Sequence, residues 1–130
     1  TNMSALKKFN EAFDEFHRRG WWFHIFPEAC RWDFYKPLRP FQKGAFTMSY
    51  KYNKPLVPCV ITYRERQGIF RLFGPKDLPL LTITVGKPIF PDTTQPRKTE
   101  VERLREVAHH QMTKMAGIIE NPWPVAWGNQ

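Results

Sequence analysis

The sequence predicts an α/β protein with a small mixed sheet and flanking helices, and three observations carry that expectation. Residues 4–19 place Leu6, Phe9, Phe13 and Phe16 at helical spacing with charged residues between them. Residues 56–63 and 80–85 are short runs rich in Val, Ile and Thr, the composition and length of strands. From Thr99 onward, Val101, Leu104, Val107, Ala108, Gln111, Met112 and Met115 fall on one helical face. In chain order this reads helix, strand, helix, strand, strand, strand, helix.

Each element has its own local signals. Ser4 can cap the first helix, Arg18 and Arg19 suit its C-terminal end, and Gly20 stops it. Residues 21–26 form a nearly continuous apolar run, which predicts a buried strand ended by Pro27. Pro37 and Pro40 make residues 28–42 a loop. Residues 43–52 offer Ala45, Phe46, Met48 and Ser49 as one side of a short helix, broken by Asn53-Lys54-Pro55. After the strand at 56–63, residues 64–68 read as a turn and 69–73 as an antiparallel return strand. Residues 80–85 are the next strand, and 86–96 a proline-punctuated connection. Thr99 and Glu102 have the spacing of a capping box at the start of the last helix. Residues 121–130 read as an irregular tail on a single domain spanning 1–130.

Composition narrows the function classes. A chain of 130 residues fits one domain with one core. No apolar stretch is long enough to span a bilayer, and the first 20 residues lack a signal-peptide pattern. Cys30 and Cys59 cannot build a disulfide scaffold, and no Cys/His spacing points to a metal. A net charge of +8 with 15% aromatic residues suits an anionic partner: a phosphorylated substrate, a membrane surface or nucleic acid. No helix-turn-helix, RRM or zinc-finger signature supports the last, so nucleic acid is not the expected partner.

The densest functional signal is residues 24–32. A predicted strand delivers Pro27 and then Glu28 and Arg31, a carboxylate and a guanidinium three positions apart at a sheet edge. Arg31 offers a planar fork of donors that fits a phosphate, and Glu28 can hold the fork or bond a substrate hydroxyl. The same spacing also describes an ordinary Glu–Arg pair.

Phe26-Pro27-Glu28-Ala29-Cys30-Arg31 resembles the Phe-Pro-Glu-Gly-Thr-Arg motif of the lysophosphatidic acid acyltransferase family, the PlsC-like glycerolipid acyltransferases. Pro40-Phe41-Gln42-Lys43-Gly44-Ala45 resembles the Phe-Lys-Lys-Gly-Ala element that follows it. Lys54-Pro55-Leu56-Val57-Pro58-Cys59-Val60-Ile61 resembles the family's Val-Pro-Ile-Val-Pro-Val-Val block, and Gly86-Lys87-Pro88-Ile89 its Gly-x-Pro-Ile. The resemblance implies the C-terminal part of a glycerolipid-acyltransferase-like fold. It also implies acyl transfer in phospholipid biosynthesis, from acyl-CoA or acyl carrier protein to a lysophospholipid or related glycerol phosphate. No bound cofactor or metal is implied. The setting it implies is peripheral, on the cytoplasmic side of a membrane. By position, Glu28 and Arg31 would hold the acceptor's phosphate and glycerol, Lys43 would add a second positive charge, and Pro58 would shape the loop.

Two departures accompany the resemblance. Ala29 and Cys30 replace Gly and Thr, which is expected to alter the loop's shape and remove one hydroxyl; Cys30, with no partnered base, reads as a packed or half-exposed thiol. The family's catalytic His-x-x-x-x-Asp is absent. Five positions after His17, His24, His109 and His110 stand Trp22, Ala29, Lys114 and Met115. No catalytic residue is therefore assigned, and the chain on its own is expected to be inactive. A non-catalytic relative that binds lipid or an acyl carrier is the alternative expectation. Thr1 in place of an initiating Met suggests a processed or truncated chain. His24 is expected in the core, with the site as the alternative, and His109 and His110 among exposed neighbours on the last helix.

Overall fold

The computed structural model describes residues 3–29, 37–73, 78–122 and 124–125. Helix α1 (Met3–Arg18) forms where the apolar spacing predicts it, with Lys7–Glu11 and Glu15–Arg19 pairs along its polar face. The Leu6 side chain lies outside the described residues. Gly20 ends the helix as expected. At φ +70 it lets its own amide reach the His17 carbonyl (3.0 Å) and the Trp21 amide reach that of Phe16 (3.1 Å). This is a Schellman end, and its apolar contact is the stack of Trp21 on Phe16, ring centroids 5.2 Å apart.

The predicted buried strand at 21–26 is not formed. The segment takes no regular secondary structure and pairs with no strand among the described residues, and Trp21, Trp22 and Phe26 are 56%, 79% and 66% exposed. Its apolar content is partly spent on α1 instead, where Phe23 stacks on Phe13 at 4.6 Å. An apolar run specifies only that side chains favour burial; a strand also needs an edge to pair with. His24 is accordingly exposed rather than in the core, its ring 4.6 Å from that of Phe26.

Helix α2 (Gly44–Tyr52) ends on Asn53 at φ +49, and Ser49 Oγ donates to the Lys54 carbonyl at 2.6 Å. Strand β1 (Cys59–Arg64) pairs antiparallel with β2 (Leu80–Val85) in the register Cys59↔Val85 to Arg64↔Leu80, and Leu56 bridges to Ile89 beyond the strand ends. The fold is thus helices with a small sheet, as predicted, and the sheet among the described residues is antiparallel rather than mixed. The return strand expected at 69–73 is a 3-10 turn (Gly68–Arg71) instead. Arg66 donates to the carbonyls of Phe73 (2.6 Å) and Leu78 (2.9 Å), so both carbonyls are taken by a side chain rather than by a strand ladder.

Helix α3 (Arg97–Met115) starts two residues before Thr99, so the expected capping box does not form. The Glu102 carboxylate pairs with Lys43 and Arg105 instead. Beside it, the buried Glu100 accepts from the Asp92 amide (2.8 Å) and from both arms of Arg103 (2.8 and 2.6 Å). Val101, Leu104 and Ala108 of α3 close a core with Leu38, Phe41, Phe46 and Ile89, while Val107 of the predicted stripe stays exposed. At the sheet's near end, the Gly86 amide donates to the Pro58 carbonyl (2.8 Å), and its missing side chain leaves space for Gln111 and Met115 of α3. Of the tail, residues 121, 122, 124 and 125 are described, without helix or strand. Among the described residues, no helix is long and apolar enough to cross a membrane.

Candidate functional site

Phe26 to Ala29 make a tight turn, closed by the Ala29 amide on the Phe26 carbonyl at 3.2 Å. Ala29 sits at φ +52, the left-handed region that a glycine enters freely and an alanine at a cost. The residue that replaces the motif's glycine thus keeps a glycine-like backbone here.

The turn is tied to the loop at 38–43. Gln42 donates its amide to the Pro27 carbonyl at 2.7 Å, and Arg39 donates its amide to Glu28 Oε2 at 2.9 Å. The loop is anchored from the other side as well. Asn121 Nδ2 holds the Leu38 carbonyl (2.8 Å), and the Phe41 amide donates to the Val125 carbonyl (3.0 Å). Phe41 and Pro40 are fully buried, Phe41 against Phe46 and, edge-on, against His109 at 4.7 Å. Buried apolar side chains and paired backbone groups together give this proline-bearing loop one conformation without regular secondary structure.

Lys43 immediately precedes α2, and its Nζ lies 2.8 Å from Glu102 Oε1 while the side chain remains 54% exposed. The hydrogen bond from Lys43, helped by the charge of Arg105, holds the Glu102 carboxyl below its usual range. Arg105 in turn reaches the Phe41 carbonyl at 3.4 Å. The structure therefore brings two of the three sequence-predicted residues, Glu28 and Lys43, onto one hydrogen-bonded pair of loops. Arg31 and Cys30 lie outside the described residues.

The histidines take other places. His17 stacks on Tyr52 at 4.6 Å, and His110 Nδ1 is 3.0 Å from the Glu106 carbonyl. His109, expected among exposed neighbours, is 3% exposed in the core, and burial lowers its pKa. Among the described residues, no three His, Cys, Asp or Glu side chains are grouped to hold a metal ion.

Sequence reasoning missed the residues that build the site's support: Arg39, Glu102 and Arg105. The Glu102–Arg105 spacing on one helix was a readable signal for that pair. No local pattern marks the Lys43–Glu102 contact, which joins two helices far apart in sequence.

Residues 1–62, just under half of the chain, match the family model described as Acyltransferase. The matched span contains the Phe26–Ala29 turn, the loop at 38–43, helix α2 and the start of β1. No curated protein and no solved structure matches the chain. Over residues 1–62 this chain carries the sequence pattern of the Acyltransferase family, which includes the lysophosphatidic acid acyltransferase, PlsC-like enzymes.

Proposed function

We propose that this chain supplies the acceptor-binding part of a glycerolipid acyltransferase. A fatty acyl group passes from acyl-CoA or acyl carrier protein to the free hydroxyl of a lysophospholipid or related glycerol phosphate, at a membrane surface on its cytoplasmic side. One observation carries this reading: the family match spans both the Phe26–Arg31 motif and the Pro40–Ala45 element, and paired hydrogen bonds join their loops.

In this reading Arg31 presents its guanidinium fork to the acceptor's phosphate. Glu28 is a positioning residue, its carboxylate fixing the loop that precedes α2. Lys43 adds positive charge next to the first turn of α2, where the helix dipole also favours an anion, and Glu102 fixes its direction. Acyl transfer needs a base to take the acceptor hydroxyl's proton as its oxygen attacks the thioester carbonyl and the thiolate leaves. The 130 residues hold no His-x-x-x-x-Asp, so that base is supplied from another segment.

The test is transfer of labelled acyl-CoA to lysophosphatidic acid by this chain joined to an upstream His-x-x-x-x-Asp segment of the family. The joined protein is expected to be active, and Arg31→Ala to raise the acceptor KM about 10- to 100-fold with the donor KM unchanged. An unchanged acceptor KM and rate would refute the assignment of Arg31. A second reading, a non-catalytic relative that binds the lipid or an acyl carrier, is favoured by the missing motif. It predicts acceptor binding with no transfer even in the joined protein.

A further inference from the structure

One face of the sheet stands uncovered. The pairs Cys59↔Val85, Ile61↔Ile83 and Tyr63↔Leu81 place six side chains on it, and the five larger ones are between 41% and 65% exposed. The opposite face is turned to α3. Val60 is buried there, and a Cβ at Gly86, in step with Thr84, would meet Gln111 and Met115. An antiparallel sheet with one face on a helix and the other in water alternates apolar and polar residues, whereas strands covered on both faces read as apolar throughout. None of the six outward positions is charged, in a chain with 25% charged residues, so the pattern is that of a sheet covered on both sides.

The character of the face selects what covers it. It offers no charge to an anionic headgroup, a phosphate backbone or an acidic protein, and no Trp to a lipid interface. A second copy presents the same uncharged face with the same twist, and two such faces pack about 10 Å apart with their strands aligned. The size agrees. Five large side chains, each about half exposed, leave roughly 500 Å² per copy, so two copies bury roughly 1,000 Å², the area at which specific interfaces begin.

From these observations we infer that two copies of this chain associate through this face, β1 and β2 of one against β1 and β2 of the other. A two-fold axis passes near the central Ile61–Ile83 pair, and α3 lies on the outside of each sheet. The area is at the lower limit and each copy carries +8, so the dimer is weak, with a Kd on the order of 10–100 µM. Because the contact is apolar and the charges repel, salt tightens it by screening them. Association through this face is independent of acyl transfer and of the acceptor loops.

The experiment is sedimentation equilibrium of the full chain from about 2 to 500 µM, at about 0.1 and 0.5 M salt, alongside co-sedimentation with phosphatidylcholine–phosphatidylserine vesicles. A monomer–dimer equilibrium that tightens with salt is expected. Ile83→Lys and Ile83→Glu should each weaken it about 100-fold, because like charges meet near the axis. Mixing the two variants should restore association, which requires a face that meets itself. Ile83→Thr keeps a β-branched side chain for the strand and should weaken the dimer about tenfold, so it decides the matter if the charged variants do not fold. A monomer at every concentration overturns the proposal. A dimer that no Ile83 substitution weakens places the contact elsewhere and overturns it too. Folded charged variants whose mixture stays monomeric exclude the two-fold contact. Vesicle binding lost with Ile83→Lys, in the absence of a dimer, assigns the face to lipid instead.

Discussion

At Ala29 a methyl group occupies a backbone conformation, φ +52, that costs an L-residue about 1 kcal/mol or more. Ala29→Gly should therefore stabilise the chain by up to about 1 kcal/mol in urea unfolding, despite glycine's greater freedom when unfolded. A destabilised variant would show that the side chain contributes packing that outweighs the strain. His109 makes a second test. Burial lowers its pKa from the ordinary 6.5, the charge of His110 adds to this, and backbone groups of Arg39 and Leu38 act the other way. The unfolded chain then binds the proton more readily than the folded one. Stability is complete above about pH 6.5 and falls by at most about 1.4 kcal/mol per pH unit as the solution is acidified towards the folded pKa. Unfolding measured from pH 7.5 to 5.5 should show this slope, and His109→Gln should flatten it. Glu100 and Glu102, whose pKa values are lowered by their Arg103 and Lys43 hydrogen bonds, add their own loss only below the usual carboxylate range. The loop that begins at Pro27 was legible in the sequence, but its support was not: Glu28's bond to the Arg39 amide depends on a loop that no spacing rule describes.

The three α-helices among the described residues end the same way. Gly20, Asn53 and Gly117 each adopt positive φ, and the next residue's amide reaches back five positions, from Trp21 to Phe16, Lys54 to Ser49 and Ile118 to Thr113. Gly20→Ala and Gly117→Ala have open space for the methyl group, so their cost is conformational and should be about 1 kcal/mol each. Asn53→Gly should be neutral or slightly stabilising. Thermal unfolding of the three variants checks this, and an unchanged midpoint for both alanine variants would contradict it. The end at Gly20 was readable because a glycine after an amphipathic run is a local signal, and the end at Asn53 because Asn53-Lys54-Pro55 breaks a helix. Strand β2 was readable for the same reason, its β-branched composition matching Leu80–Val85. Residues 21–26 and 69–73 misled because strand formation depends on a pairing edge elsewhere in the chain. The first pairs with no strand among the described residues, and the second holds a 3-10 turn (Gly68–Arg71) beside the carbonyls to which Arg66 donates.

Across the whole molecule, the core and the exposed apolar surface are divided unevenly. Leu38, Phe41, Phe46, Leu104 and Ala108 bind α2, α3 and the loop at 38–43 into one unit, so the candidate site rests on the best-packed part of the chain. The sheet is different. Val60 is buried on one face, while Ile61, Tyr63, Leu81, Ile83 and Val85 stand exposed on the other, in the cross-strand pairs Ile61↔Ile83 and Tyr63↔Leu81. The α2–α3 support and the site loops therefore have a defined shape independent of whatever meets that face. That separation makes acceptor binding measurable on its own. The most direct measurement is equilibrium binding of lysophosphatidic acid to the parent chain, Arg31→Ala and Glu28→Gln, with lysophosphatidylcholine as the ligand lacking a free phosphate monoester. Tighter binding of lysophosphatidic acid, weakened about 10- to 100-fold by Arg31→Ala and less by Glu28→Gln, is the predicted result. Equal affinity for the two lipids, unchanged by Arg31→Ala, would contradict an acceptor-phosphate site in this chain.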